Sequence, residues 1–364
     1  MKRRWHHSET VDPEPEAVVK MGGKRARLAT AVDLFSGCGG LSEGLRRAGF
    51  KVVAAVEVAS KPADVYRTNH PSTRLYEEDV RLLDGKRLMA DCGLAPGELG
   101  LLAGCPPCQG FSRLRTRNKA TSVADDRNSL VLEFFRLALE MQPKTIMLEN
   151  VPALERDINF VDGVERLREA GYEVRIEVLD ASRYSVPQRR RRLIMLASRV
   201  HVPVDVEPHR KVMTVKDAIG FLGEPSVSRD PLHALPERRS PAVKRIMSLI
   251  PKDGGSRADL PKKYQLDCHL KSNGFSDVYG RMRWDAVSPT ITSGCNNPSK
   301  GRFIHPVQDR AISLREASLL QGFPLSYVFD VKHGKEAIAL MIGNALPPPF
   351  IAAHAKQLRD AVVP

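Results

Sequence analysis

Between residues 29 and 58 an apolar strand, a glycine-rich turn, a helix and a second apolar strand follow one another with nothing between them. Ala29 to Phe35 supplies the first strand and Ser36-Gly37-Cys38-Gly39-Gly40 the turn. Leu41 to Ala48 has helical spacing and is closed by Gly49, and Lys51 to Val58 is the second strand. Such a βαβ unit runs its two strands parallel, and a parallel pair calls for an α/β sheet with helices on its faces. The glycines let a ligand approach the backbone where the first strand ends.

Glu57 ends the second strand about twenty residues after the first glycine, where an acid takes ribose hydroxyls in this topology. A strict Gly-x-Gly-x-x-Gly is missing, and so is a Gly-Lys-Ser/Thr ending, which argues against a nucleoside triphosphate. A nucleoside without a polyphosphate fits, and S-adenosylmethionine is the obvious choice.

A second stretch, Gly104-Cys105-Pro106-Pro107-Cys108-Gln109-Gly110-Phe111-Ser112, follows the apolar run Leu99 to Ala103 and therefore sits at another strand end. Two prolines stiffen the backbone ahead of Cys108, and a thiol held in one orientation is a candidate nucleophile. Cys105 and Cys108 also read as a C-x-x-C. Cys268-His269 and Cys295 supply no matching half-site, so no metal is expected. Thr145 to Leu148 is the next strand and delivers Glu149-Asn150-Val151-Pro152 to the same edge. A carboxylate there is a candidate acid, with a helix cap as the plainer alternative. Four arginines, Arg189 to Arg192, precede the strand Leu193 to Ala197, and alternation puts Arg190 and Arg192 on one side, Arg189 and Arg191 on the other.

Lys and Arg number 56 against 43 Asp and Glu, a net charge of +13 that favours a polyanionic partner without separating DNA from RNA or an anionic surface. Six cysteines without a framework spacing fit a reducing compartment. No apolar core follows Met1-Lys2-Arg3-Arg4 and no run reads as long enough to span a bilayer. The expectation is therefore a cytoplasmic protein with no membrane partner.

Taken together, six separated stretches between Leu28 and Ala361 resemble, in order, the DNA cytosine-5 methyltransferases of bacterial type. The resemblance implies a Rossmann-like class I methyltransferase sheet with helices on both faces, plus a smaller irregular target-recognition domain. Asp33-Leu-Phe-Ser-Gly-Cys-Gly-Gly-Leu is similar to the family's cofactor loop, which implies that Asp33, Phe35, Ser36, Gly37, Gly39, Gly40 and Leu41 meet S-adenosylmethionine. Glu57 and Val58 would take its ribose, Asp79 and Val80 its adenine, with Pro106, Asn344 and Ala345 completing the pocket. By the same resemblance Cys108 is the attacking thiol and Glu149 binds N3 and the exocyclic amine of cytosine. Arg192 holds O2 with Arg190 in support, and Gln109, Ser112, Arg113 and Arg115 meet DNA. Such loops commonly carry Ser where this chain has Cys105, which is given no role.

The implied division is a loose polar tail at 1–27, a catalytic and cofactor-binding domain at 28–200, a target-recognition domain at 201–311 rich in Pro, Gly, Lys and Arg, and a closing motif with a C-terminal helix at 312–364. Within the last, Ser313 and Glu316 form a capping box, Gly322 with Pro324 stops that helix, and the final helix should bury Phe350, Ala353, Gln357 and Leu358. The expected partner is double-stranded DNA, met by a monomer, with a cognate restriction endonuclease as companion. Two alternatives stand beside this. Transfer-RNA cytosine-5 methylation is disfavoured because residues 203–298 lack a Cys-Phe-Thr tripeptide. A catalytically silent DNA-binding homologue is disfavoured because Cys108, Glu149 and the cofactor loop are intact.

Overall fold

The computed structural model describes residues 29–107, 130–265 and 277–363. Seven strands form one sheet: β1 (Thr30–Leu34), β2 (Lys51–Val56), β3 (Arg74–Tyr76), β4 (Leu101–Gly104), β5 (Thr145–Asn150), β6 (Glu173–Asp180) and β7 (Arg191–Ser198), in the order β3-β2-β1-β4-β5-β7-β6. β1 to β5 are parallel, and β7 runs antiparallel between β5 and β6. β4 and β5 are buried along their whole length, which is why they read as unbroken apolar runs rather than alternating ones.

Chain order reverses between β1 and β4, and in an open sheet the ligand crevice lies outside the carboxyl ends at that point. Leu34 is level with Gly104, and Gly104 with Leu148, so three chain segments leave the sheet side by side.

Among the helices are α1 (Gly40–Arg47), α2 (Ser60–Asn69), α3 (Gly85–Asp91), α4 (Leu130–Met141), α5 (Ile158–Glu169), α6 (Val215–Ile219), α7 (Pro241–Leu249), α8 (Leu314–Leu320), α9 (Lys335–Asn344) and α10 (Pro348–Val362). One face of the sheet packs Leu34, Leu102, Ile146 and Leu148 against Phe134, Leu137 and Met141 of α4. The other packs Ala31, Ala103 and Met147 under Leu41 and Leu45 of α1 and Phe350, Ile351 and Leu358 of α10. A second core joins Val215, Ile219, Leu232, Met282 and Ile291 to Ile312, Leu314, Phe323 and Ile342. A third, around Met247, Ile250 and Tyr279, encloses the fully buried Arg281. The Arg281 guanidinium donates to the carbonyls of Met247, Ile250, His305 and Gln308, doing for this lobe what a sheet ladder does for the other.

Several element ends differ from the sequence reading. β1 stops at Leu34 because Phe35 takes a left-handed φ of 59°. β5 continues through Asn150, so Glu149 is held inside the strand by pairing with β7. The capping box at Ser313 and Glu316 is present, and Gly322 (φ 95°) ends α8. The buried face of α10 is Phe350, Ile351, His354, Ala355 and Leu358. Ala353 is half-buried, and Gln357 instead bonds the backbone of Val204. Lys335–Val362 is long and apolar enough to cross a bilayer by composition, contrary to expectation. It breaks into α9 and α10 at Ala345–Pro347 and is mostly buried in the protein.

Candidate active site

Glu149 lies near the carboxyl end of β5 and is 1% exposed. Its Oε2 accepts from the Cys105 thiol at 3.1 Å, and its Oε1 lies 3.0 Å from Arg192 Nε. Among the described residues no donor reaches Oε1 in hydrogen-bond geometry, which leaves a buried acceptor atom bare. The next residue, Asn150, points to the other side of the strand, and its amide donates to the Pro106 carbonyl at 2.9 Å. β5 thereby fixes both the acid and the proline loop that leads to Cys108.

Arg190 and Arg192 do face the same side, as alternation requires. Burial and the neighbouring Arg192 pull the Arg190 guanidinium down to about 9. It donates to the carbonyls of Ile291, Gly343 and Ala345, so it secures the second lobe and the segment after α9 behind Arg192. Arg192 keeps its guanidinium against Glu149 and donates to the Arg191 carbonyl at 2.7 Å.

At the end of β1 the glycine turn curls over the end of β2. Gly37 N–H donates to Glu57 Oε2 at 2.9 Å, and Ser36 N–H to the Val56 carbonyl. Gly37 has open space where a Cβ would stand, whereas a Cβ on Gly40 would strike the Leu346 carbonyl at 2.6 Å. The segment Ala345–Leu346 therefore packs directly against this turn. Asp33 is fully buried and accepts from the Ser42 hydroxyl at 2.6 Å. Burial pushes its carboxyl up to about 8, and its Oδ1 has no donor.

The remaining expected residues fall variously. Leu41 and Val80 are buried in the cores on opposite faces of the sheet, while Val58 is 66% exposed and Asn344 is exposed. Asp79 caps a short turn at Arg81, whose guanidinium holds the carboxyl below the usual range. Cys108, Gln109, Ser112, Arg113 and Arg115 lie outside the described residues. Two sets of long-range contacts escaped the sequence reading. Tyr327 donates to the Cys38 carbonyl in the glycine turn. Gln188 bonds Gln321 and the backbone of Leu320 and Ile291. Both contacts span more than a hundred residues, beyond any local pattern.

An open glycine turn beside Glu57, with bare buried oxygens on Asp33 and Glu149 among the described residues, fits a cationic nucleoside cofactor beside a polar ring substrate. The family model for C-5 cytosine-specific DNA methylases matches residues 29–360. The chain is 36% identical to the Type II methylase M.HgiDII of Herpetosiphon aurantiacus, over 91% of this chain and 95% of that protein. It is 32% identical to the Type II methyltransferase M1.HphI of Haemophilus parahaemolyticus, over 90% and 86%. Among solved structures, one described as a prophage-encoded DNA modification methyltransferase of E. coli superposes with a TM-score of 0.66 at 26% identity, covering 91% of this chain and 98% of the other.

Proposed function

The chain belongs to the C-5 cytosine-specific DNA methylase family and is an S-adenosylmethionine-dependent DNA cytosine-5 methyltransferase, and we propose that Cys108, Glu149 and Arg192 carry its reaction. The supporting observation is the buried Glu149 carboxyl. It is paired with Arg192 and has one bare oxygen, at the strand edge from which the Pro106-Pro107-Cys108 loop departs.

Cytosine C5 is a poor nucleophile until its ring becomes an enamine. Cys108, as thiolate, adds to C6, which breaks the C5–C6 double bond and drives the electron pair toward N3 and O2. Glu149 meets N3 and the exocyclic amine through its carboxyl, and Arg192 holds O2, so the charge that develops on the ring has fixed partners. S-adenosylmethionine, when bound, supplies an electrophilic methyl group that the activated C5 takes. Once the C5 proton passes to a solvent base, the C–H bonding pair restores the C5–C6 double bond and Cys108 leaves C6 as thiolate with its own bonding pair. The base is stacked inside a duplex, so it must be flipped out to reach these groups.

For the cofactor we propose the turn from Asp33 to Leu41, Glu57 and Val58 at the ribose, Asp79 and Val80 at the adenine, and Pro106, Asn344 and Ala345 at the methionine end. The proposed division of labour puts cofactor and chemistry in 28–200, sequence choice in 201–311 and closure in 312–364. Gln109, Ser112, Arg113 and Arg115 would meet the duplex. The enzyme would act as a cytoplasmic monomer, and the Type II names of its relatives are in keeping with a cognate endonuclease beside it.

A duplex carrying 5-fluorocytosine at the target tests the chemistry, since its C5 substituent cannot leave as a proton. The wild type should form a covalent adduct stable to denaturation. Cys108→Ala should form none while still binding duplex. An adduct that survives Cys108→Ala would remove that residue from its role.

A further inference from the structure

We propose that Cys105 is a positioning residue for Glu149, its thiol fixing the plane of the carboxyl so that the bare Oε1 is presented to the exocyclic amine of the target base. This rests on the catalytic reading of Glu149 given above. The backbone of Cys105 is held at the end of β4, where its N–H reaches the Leu34 carbonyl at 3.4 Å and the preceding Gly104 is in register with β1 and β5. From there Sγ donates to Oε2 at 3.1 Å, while Arg192 approaches Oε1 at 3.0 Å from β7. The carboxyl is thus held at Oε2 from the end of β4 and faced at Oε1 by a cation from β7, on opposite sides of β5, and among the described residues Oε1 accepts no hydrogen bond.

The charged groups facing this thiol are Glu149 on β5 and Arg190 and Arg192 at the start of β7. Burial first, and then the Glu149 charge, push the thiol well above its ordinary range. Cys105 therefore keeps its proton and serves as a donor, not as a rival nucleophile three residues from Cys108. A side chain without a donor at this position would leave Oε2 buried and unpartnered, and the carboxyl free to turn.

The full-length enzyme is assayed as wild type, Cys105→Ser, Cys105→Ala and Glu149→Gln by single-turnover transfer of a tritiated methyl group to duplex DNA across a pH series. Cys105→Ser keeps a donor and should stay within about threefold of wild type. Cys105→Ala should lose about tenfold in rate at unchanged KM for DNA, the equivalent of one hydrogen bond. An infrared difference spectrum, wild type minus Cys105→Ser, should show an S–H stretch lowered by hydrogen bonding. It reads the contact directly even where Cys105→Ala does not fold. Wild-type rate in Cys105→Ala, a Cys105→Ser variant as slow as Cys105→Ala, or a difference band at the free-thiol position, overturns the proposal. Wild-type activity in Glu149→Gln would instead overturn the catalytic reading of Glu149.

Discussion

Tyr327 donates its hydroxyl to the carbonyl of Cys38 across 2.6 Å, which ties the second lobe to the middle of the glycine turn. The same oxygen lies 3.0 Å from His70 Nε2, and a Cβ on Gly39 would stand 2.5 Å from it, so the turn and the tyrosine are fitted to each other. Tyr327→Phe leaves the Cys38 carbonyl buried without its donor, at a cost of about 1–3 kcal/mol. If the turn holds the cofactor as proposed, affinity for S-adenosylmethionine should fall by on the order of tenfold in isothermal titration calorimetry, with duplex affinity little changed. Unaltered cofactor affinity would disconnect Tyr327 from the turn.

Asp33 makes stability depend on pH. Its carboxyl is raised from 3.8 to about 8 by burial, so between those values the folded chain holds a proton that the unfolded chain releases. Its contribution is therefore fully present below about pH 4 and is lost progressively as pH rises to about 8. Asp33→Asn cannot ionise and should flatten that slope, which is worth on the order of a few kcal/mol across the window. Urea unfolding midpoints of the cofactor-free protein at several pH values measure it. Parallel slopes in the two proteins would contradict it.

The first lobe was legible because its signals are local. β1, α1 and β2 appear as two apolar runs around glycines, and Glu149 falls at a strand end whose apolar residues are contiguous. Alternation alone placed Arg190 and Arg192 together. The second lobe was opaque because its order comes from single long-range contacts. Arg281 collects carbonyls from four separate residues, which its local sequence does not announce. The face of α10 was misread for a related reason. Gly44 of α1 lets Ile351 approach so closely that Ile351 and His354, not Ala353 and Gln357, turn inward.

Gly343 ends its helix against the backbone of the second lobe. A Cβ there would lie 2.3 Å from Ser293 N and from the Thr292 carbonyl carbon, atoms that cannot swing aside as a side-chain tip would. The Gly343 carbonyl also receives the Arg190 guanidinium. Gly343→Ala should cost about 1–3 kcal/mol by overpacking and lower the thermal midpoint. Gly223→Ala, where nothing lies within 4 Å of the added carbon, should change it little. Equal midpoints for the two variants would show that segment 292–293 yields freely.

Arg192 is the cation paired with the buried Glu149 carboxyl, and its proposed role is to hold O2 of the target base. Its Nε stands 3.0 Å from Glu149 Oε1, and one of its terminal nitrogens is spent on the Arg191 carbonyl, so its planar group is oriented before substrate arrives. Arg192→Lys keeps the charge but loses the fixed fork of donors. If the guanidinium holds cytosine O2 as charge builds there, the methyl-transfer rate should drop by roughly 10²-fold. Duplex affinity should move only a few-fold, because phosphate contacts elsewhere dominate it. The rate of adduct formation with a 5-fluorocytosine duplex should fall in parallel with methyl transfer, since both pass through addition at C6. A variant slow in methyl transfer but normal in adduct formation would place Arg192 after the addition step and away from O2.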